Sequence, residues 1–213
     1  NISRFRKLNP DFLVQIHGEE VLLPCLAPAY RAVTGKHFYS RKSDVLRISA
    51  LLQYGGWYFD TDFLPIRPLS DIYRDQGNFP TDCFVTQGDW VAHRHAQAGE
   101  KSRKWIANGV IGTTPDSPFL SCVLRGILES ERQGIRNWGI NGPILFTELV
   151  EKFPGIVHVN AMDNWYRLQP RQRSMDAYRK IRQQKFSVES ILQCVGDPLP
   201  YAMHIGMQDE LEL

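Results

Sequence analysis

Apolar positions along this chain follow two rhythms, and the alternation between them predicts the fold class. From Pro118 to Arg132 they fall at 119, 120, 123, 124, 127 and 128, the spacing of one helix face. Val45–Tyr54 reads as a largely buried helix ending at Gly55, Pro143–Phe153 as another, and Ser187–Cys194 as a short one. A short helix or loop covers residues 1–9, and irregular chain with a helix leads to Val33. Shorter apolar runs at Phe12–Ile16, His37–Tyr39, Trp57–Phe59, Phe84–Thr86, Ile106–Gly112 and Val157–Asn160 read as strands. Strands alternating with helices predict an α/β protein whose largely parallel sheet is covered on both faces. Ligands in such sheets bind at the carboxyl ends of strands.

One such strand end carries chemistry. In Gln53-Tyr-Gly-Gly-Trp-Tyr-Phe-Asp-Thr-Asp62, two carboxylates follow an apolar run directly, and Phe63, Leu64 and Pro65 come next. Residues i and i+2 of an extended chain share a side, so Asp60 and Asp62 can converge on one hard cation or one ligand. Mg²⁺ and Mn²⁺ prefer carboxylate oxygens and share their remaining positions with water and substrate phosphates. An isolated Asp-x-Asp is a common solvated turn. Carboxylates set between apolar groups bear a desolvation cost unless they are paired or metal-bound, and that context favours function. Just upstream, Ser43 reads as a helix N-cap with Asp44 in the first turn. Asp44 and Arg47 lie three apart on one helix face, either as a plain intrahelical ion pair or as groups facing the same cleft as the aspartates.

The stretch Lys42-Ser-Asp-Val-Leu-Arg-Ile-Ser-Ala-Leu-Leu-Gln-Tyr-Gly-Gly-Trp-Tyr-Phe-Asp-Thr-Asp62 resembles the signature of the DXD-containing glycosyltransferases. That group includes yeast initiating mannosyltransferases, bacterial capsule and large-virus enzymes, and the glucosylating clostridial toxins. Both residue types and intervals match the pattern Ser-Asp-x-x-Arg, apolar helix, Tyr-Gly-Gly, short strand, Asp-x-Asp. More thinly, Leu8-Asn-Pro-Asp-Phe12, Asn108-Gly-Val-Ile-Gly-Thr-Thr-Pro-Asp-Ser-Pro118, Asn141-Gly-Pro-Ile-Leu-Phe-Thr147 and the late His204 are similar to family segments on either side of the signature. Two features depart from the pattern. The family's opening Ile-Pro-Lys strand is absent, which suggests an internal fragment or a different first element, and the Ser-Trp usual after the late histidine is replaced by Ile205-Gly206.

The resemblance implies a GT-A-type fold, one nucleotide-binding domain over residues 1–213 with a mostly parallel mixed sheet flanked by helices. It implies a metal-dependent transferase moving a hexosyl or deoxyhexosyl group from a nucleotide diphosphate sugar, preferably a UDP-sugar, to a carbohydrate or glycoprotein glycan acceptor with retention. Asp60, Asp62 and His204 would hold Mn²⁺ or Mg²⁺. Asp44, Arg47, Tyr58, Asp60 and Asn108 would bind the donor, with Asp44, Arg47, Asp60 and Asp62 as the catalytic group.

Composition narrows the alternatives. A net charge of +2 over 213 residues is too small to argue for nucleic-acid or membrane binding, and no nucleic-acid partner is expected. The four cysteines, at 25, 83, 122 and 194, form no close pair and no metal-ligand spacing, so a reducing, cytoplasmic setting is the simpler reading. No signal peptide or membrane-length apolar run is present, so Golgi or membrane association would require parts outside this chain. The basic run of Arg167, Arg171, Arg173, Arg179, Lys180, Arg182 and Lys185 reads as a solvated helix face or a lid over a diphosphate. His93 and His95 read as loop residues; Trp90, Trp138 and Trp165 as either stacking or buried tryptophans. Two rival functions remain. A haloacid-dehalogenase-type phosphatase also places Asp-x-Asp at a strand end, but its downstream acidic cluster is missing. A non-catalytic nucleotide-sugar-binding module would not need metal ligands.

Overall fold

The computed structural model describes residues 2–35, 38–77, 82–88, 105–135, 139–161, 165 and 199–204. In chain order its elements are α1 (Ile2–Leu8), α2 (Ala27–Arg31), α3 (Phe38–Tyr54), β1 (Gly56–Phe59), β2 (Phe63–Pro65), α4 (Ser70–Gln76), β3 (Cys83–Gly88), β4 (Trp105–Thr113), α5 (Pro118–Arg132), α6 (Pro143–Lys152), β5 (His158–Asn160) and β6 (Ala202–His204). They gather into two compact units, Gln15–Phe59 with Phe79–Asn160, and Asn1–Val14 with Asp60–Asn78 and Ala161–Leu213.

The first of these units holds a four-stranded sheet in the order β1-β4-β3-β5. β4 runs antiparallel to both β1 and β3, and among the described strands only β3 and β5 are parallel. The sheet is therefore mixed, and the expectation of a mostly parallel sheet is corrected. Alternation of elements along a sequence does not encode strand direction. Between β1 and β3 the chain also leaves this unit for Asp60–Asn78, so α4 does not belong to the unit that holds the sheet. The core is built from α3 through Val45, Ile48, Leu51 and Leu52, α5 through Phe119, Leu120, Val123 and Ile127, and Val85, Ile106 and Ile111 of the sheet. Those α5 positions are the periodic ones, and its Ser117 N-cap accepts from the Leu120 amide.

α3 ends for a stated stereochemical reason. The Gly55 amide closes the last turn on the Leu51 carbonyl at 2.9 Å, and Gly55 and Gly56 both hold positive φ, 64° and 86°. A Cβ on Gly55 would lie 2.6 Å from Pro115 Cδ, with backbone atoms close behind. The Tyr-Gly-Gly motif is thus a left-handed helix stop that redirects the chain into β1.

In the second unit β2 pairs antiparallel with β6, and Leu69 donates its amide to Asn9 Oδ1 at 2.7 Å. Trp165 is fully buried against Tyr201, at 5.2 Å between rings, which makes it a structural tryptophan. Two predicted strands fail. Phe12–Ile16 is irregular, with Leu13 at 83% and Ile16 at 69% exposed, because apolar character makes a strand only where an edge is available to pair with. Phe38 and Tyr39 instead open α3. The helix Ser187–Cys194, His37, His93, His95, Trp90, Trp138 and the basic residues from Arg167 to Lys185 lie outside the described residues. Cys25, Cys83 and Cys122 are free thiols, and burial pushes the Cys83 thiol up to about 12. Among the described residues no helix is long and apolar enough to cross a membrane.

His158 gives the sheet a pH dependence. Its ring stacks on Phe84 at 5.5 Å, and burial lowers its pKa from the ordinary 6.5. The unfolded chain then binds more protons, so this contribution is complete above about 6.5 and fades as pH falls from there through the lower folded-state value. His158→Phe is expected to flatten the melting-temperature profile below pH 6.5; an unchanged slope would exclude His158 as its source.

Candidate active site

The predicted residues form two groups, one in each unit. The sheet-bearing unit brings together Asp44, Arg47, Tyr58 and Asn108. α3 begins five residues before Ser43, so Ser43 is not an N-cap and Asp44 is not in the first turn. Ser43 lies inside the helix, where its hydroxyl donates to the Ser40 carbonyl at 2.8 Å and accepts from Arg47 Nη2 at 2.9 Å. Asp44 and Arg47 face inward, with side chains only 8% and 4% exposed and 3.3 Å between Oδ1 and Nη2. That burial excludes the plain surface pair.

Partners distant in sequence complete the network. Asn108 of β4 donates from Nδ2 to Asp44 Oδ1 at 2.7 Å, and its carbonyl accepts from Arg47 Nη1. Arg47 Nε donates to the Ser43 carbonyl at 3.2 Å, and the guanidinium lies over the Tyr58 ring at 4.6 Å. The planar fork with its several donors is what this arrangement uses, so lysine could not replace it. Sequence reasoning gave no role to Gly142. A Cβ there would meet Asn108 Nδ2 and Asp44 Oδ2, each at 2.7 Å, so only glycine lets this loop lie against the buried carboxylate. Asn141 beside it accepts from Ser130 Oγ at 2.8 Å, and Pro143 opens α6. The Asn-Gly-Pro pattern was the available signal.

The other unit holds Asp60, Asp62 and the backbone of His204. The aspartates do not sit on an extended chain. Phe63 donates its amide to the Asp60 carbonyl at 3.1 Å, so Asp60-Thr-Asp-Phe63 is a tight turn with the acids at its first and third positions. Both are half-buried. β2 leaves the turn at once, and Phe63 is paired with His204 across the β2–β6 ladder. Among the described residues no three His, Cys, Asp or Glu side chains gather. Two carboxylates on one turn nevertheless suit a hard divalent ion, which keeps several positions for water and phosphate oxygens. The donor set fits Mn²⁺ or Mg²⁺.

A mixed α/β chain with an Asp-x-Asp turn directly after a sheet strand fits the resemblance read from the sequence. Comparison with known proteins agrees: residues 1–79 match the family model described as glycosyltransferase sugar-binding region containing DXD motif. The resemblance read from the sequence is thereby shown over residues 1–79, as a match to that family's sugar-binding region. The human alpha-1,4-N-acetylglucosaminyltransferase is 32% identical over 108 residues, covering 51% of this chain and 24% of that protein. A solved structure titled PaToxG Glycosyltransferase has a TM-score of 0.45 at 22% identity, covering 80% of this chain and 51% of the other. The chain thus spans about a quarter and about half of the lengths of these two proteins.

Proposed function

We propose that this chain transfers a hexosyl or deoxyhexosyl group from a nucleotide diphosphate sugar to a carbohydrate or glycan acceptor, with retention and in a GT-A-type domain. The observation that carries the proposal is the Asp60–Phe63 turn, which lies inside the matched sugar-binding region. Asp60 and Asp62 hold Mn²⁺ or Mg²⁺ with His204, whose strand position opposite Phe63 is one residue from Asp62. A bound divalent ion supplies Lewis-acid neutralisation of the departing diphosphate. Asp44 and Arg47 orient the donor sugar, and Asn108 and Tyr58 complete the donor-binding group by fixing them from β4 and β1. Asp60 also contacts the ribose or the sugar. Uridine is the preferred base. The human relative, by its name an α-1,4-N-acetylglucosaminyltransferase, supports trying N-acetylglucosamine as a donor sugar too.

The test is a panel of nucleotide sugars incubated with the protein and manganese and followed by proton NMR. The expected result is release of nucleoside diphosphate with an α-configured sugar product from an α-linked donor. Release of inorganic phosphate from simple monoesters would favour the phosphatase instead. Donor binding that manganese leaves unchanged, without turnover, would favour a binding module.

A further inference from the structure

Arg67 lies two residues past β2 and contacts four residues of its unit, two on α4 and two just before β6. Its Nε donates to Asp71 Oδ2 at 2.9 Å, its Nη2 to Asp75 Oδ2, and its Nη1 to the Leu199 carbonyl at 3.4 Å. Its guanidinium lies over the Tyr201 ring at 4.7 Å. Tyr201 answers with its hydroxyl, which donates to Asp75 Oδ2 at 3.2 Å, and with its carbonyl, which accepts from the Ile66 and Arg67 amides at 2.9 and 3.0 Å. Trp165 also packs against the tyrosine ring, at a tilt of 41°. Hydrogen bonding from Arg67 holds the Asp75 carboxyl below its ordinary range.

This cluster adjoins the start of β6. From Tyr201 the ladder runs Ala202 opposite Pro65, Met203 opposite Leu64 and His204 opposite Phe63. The ladder has three pairs among the described residues, and the Tyr201 carbonyl bonds and this side-chain cluster adjoin it. Slippage by one residue would shift β6 by about 3.3 Å and exchange its two faces. The residue opposite Phe63, next to the Asp-x-Asp turn, would then no longer be His204.

We propose that Arg67, Asp75 and Tyr201 are positioning residues of the metal site, acting through β6 to keep His204 beside the Asp60–Asp62 turn. The proposal rests on the metal-site reading given above. It extends the site to a clamp on α4 and at the foot of β6, outside the Asp-x-Asp signature.

Manganese binding by the protein alone, read from loss of the free-ion electron paramagnetic resonance signal, tests it without any turnover. Tyr201→Phe removes a single hydroxyl and keeps the ring over Arg67; Arg67→Lys keeps the charge but cannot serve Asp71, Asp75 and Leu199 together. Each is expected to weaken manganese binding about tenfold, the lower end for residues that orient a metal ligand. In a Tyr201→Phe background, His204→Ala should then cost less than it does alone. Earlier melting with unchanged manganese affinity in both clamp variants would overturn the proposal and leave the clamp a purely structural feature. Unchanged manganese binding in Asp62→Asn would instead overturn the metal-site reading itself, so the two failures are distinguishable.

Discussion

Asp62→Asn is expected to abolish manganese-dependent donor turnover while the protein stays folded. The change removes one charge with almost no change in volume, at a half-buried position in the turn that opens β2. Outer-shell partners of a metal cost roughly 10–100-fold when removed, so loss of a direct carboxylate ligand should exceed a hundredfold. Asp60→Asn should do nearly as much harm. A mild effect there would move Asp60 from metal ligation toward positioning of the donor. Wild-type turnover in Asp62→Asn would defeat the assignment of the paired aspartates as the metal site.

Arg47→Ala carries the largest expected stability loss. An exposed ion pair three apart on a helix would contribute only a few tenths of a kcal/mol. Here both partners are buried and tied to Asn108, so truncation takes the Arg47 guanidinium away from a carboxylate held in the interior. Breaking such a pair from one side costs about 3–5 kcal/mol. For a domain of this size that lowers the melting temperature by roughly 6–20 °C. Replacing both charges together, as Asp44→Asn with Arg47→Met, should cost less than the sum of the single changes, because neither charge is then stranded. A shift of under about 2 °C for Arg47→Ala, less than 1 kcal/mol on the same scale, would mean that water reaches the pair and that the network is not what holds β4 to α3.

The comparison of sequence and structure turns on sequence distance. The helix stop at Gly55-Gly56 was legible because its cause is local: two adjacent residues at positive φ. The α5 helix was legible because its periodicity and its Pro118 start agree. Asp44 and Arg47 were legible as neighbours on one face, since three residues is a helical interval. Their burial was not, because it comes from Asn108 and Gly142, supplied by a strand and a loop far along the chain. The β2–β6 ladder joins segments about 140 residues apart, and three-residue strands carry too little pattern to announce themselves. The same short range misled in the other direction at Phe12–Ile16, where strand-like residues pair with no strand among the described residues. The Asp-x-Asp pair was found by its type and spacing, yet its geometry is a turn held by the Asp60–Phe63 hydrogen bond rather than an extended run.

The central claim is that the paired aspartates bind a divalent ion that in turn holds the donor's diphosphate. Calorimetric titration of uridine diphosphate into the wild-type chain, with manganese and again with chelator, tests it most directly. The account predicts binding that is strong with manganese, at least tenfold weaker with chelator, and insensitive to manganese once Asp60 and Asp62 are both replaced by asparagine. Equal affinity with and without the metal in the wild-type protein would contradict it.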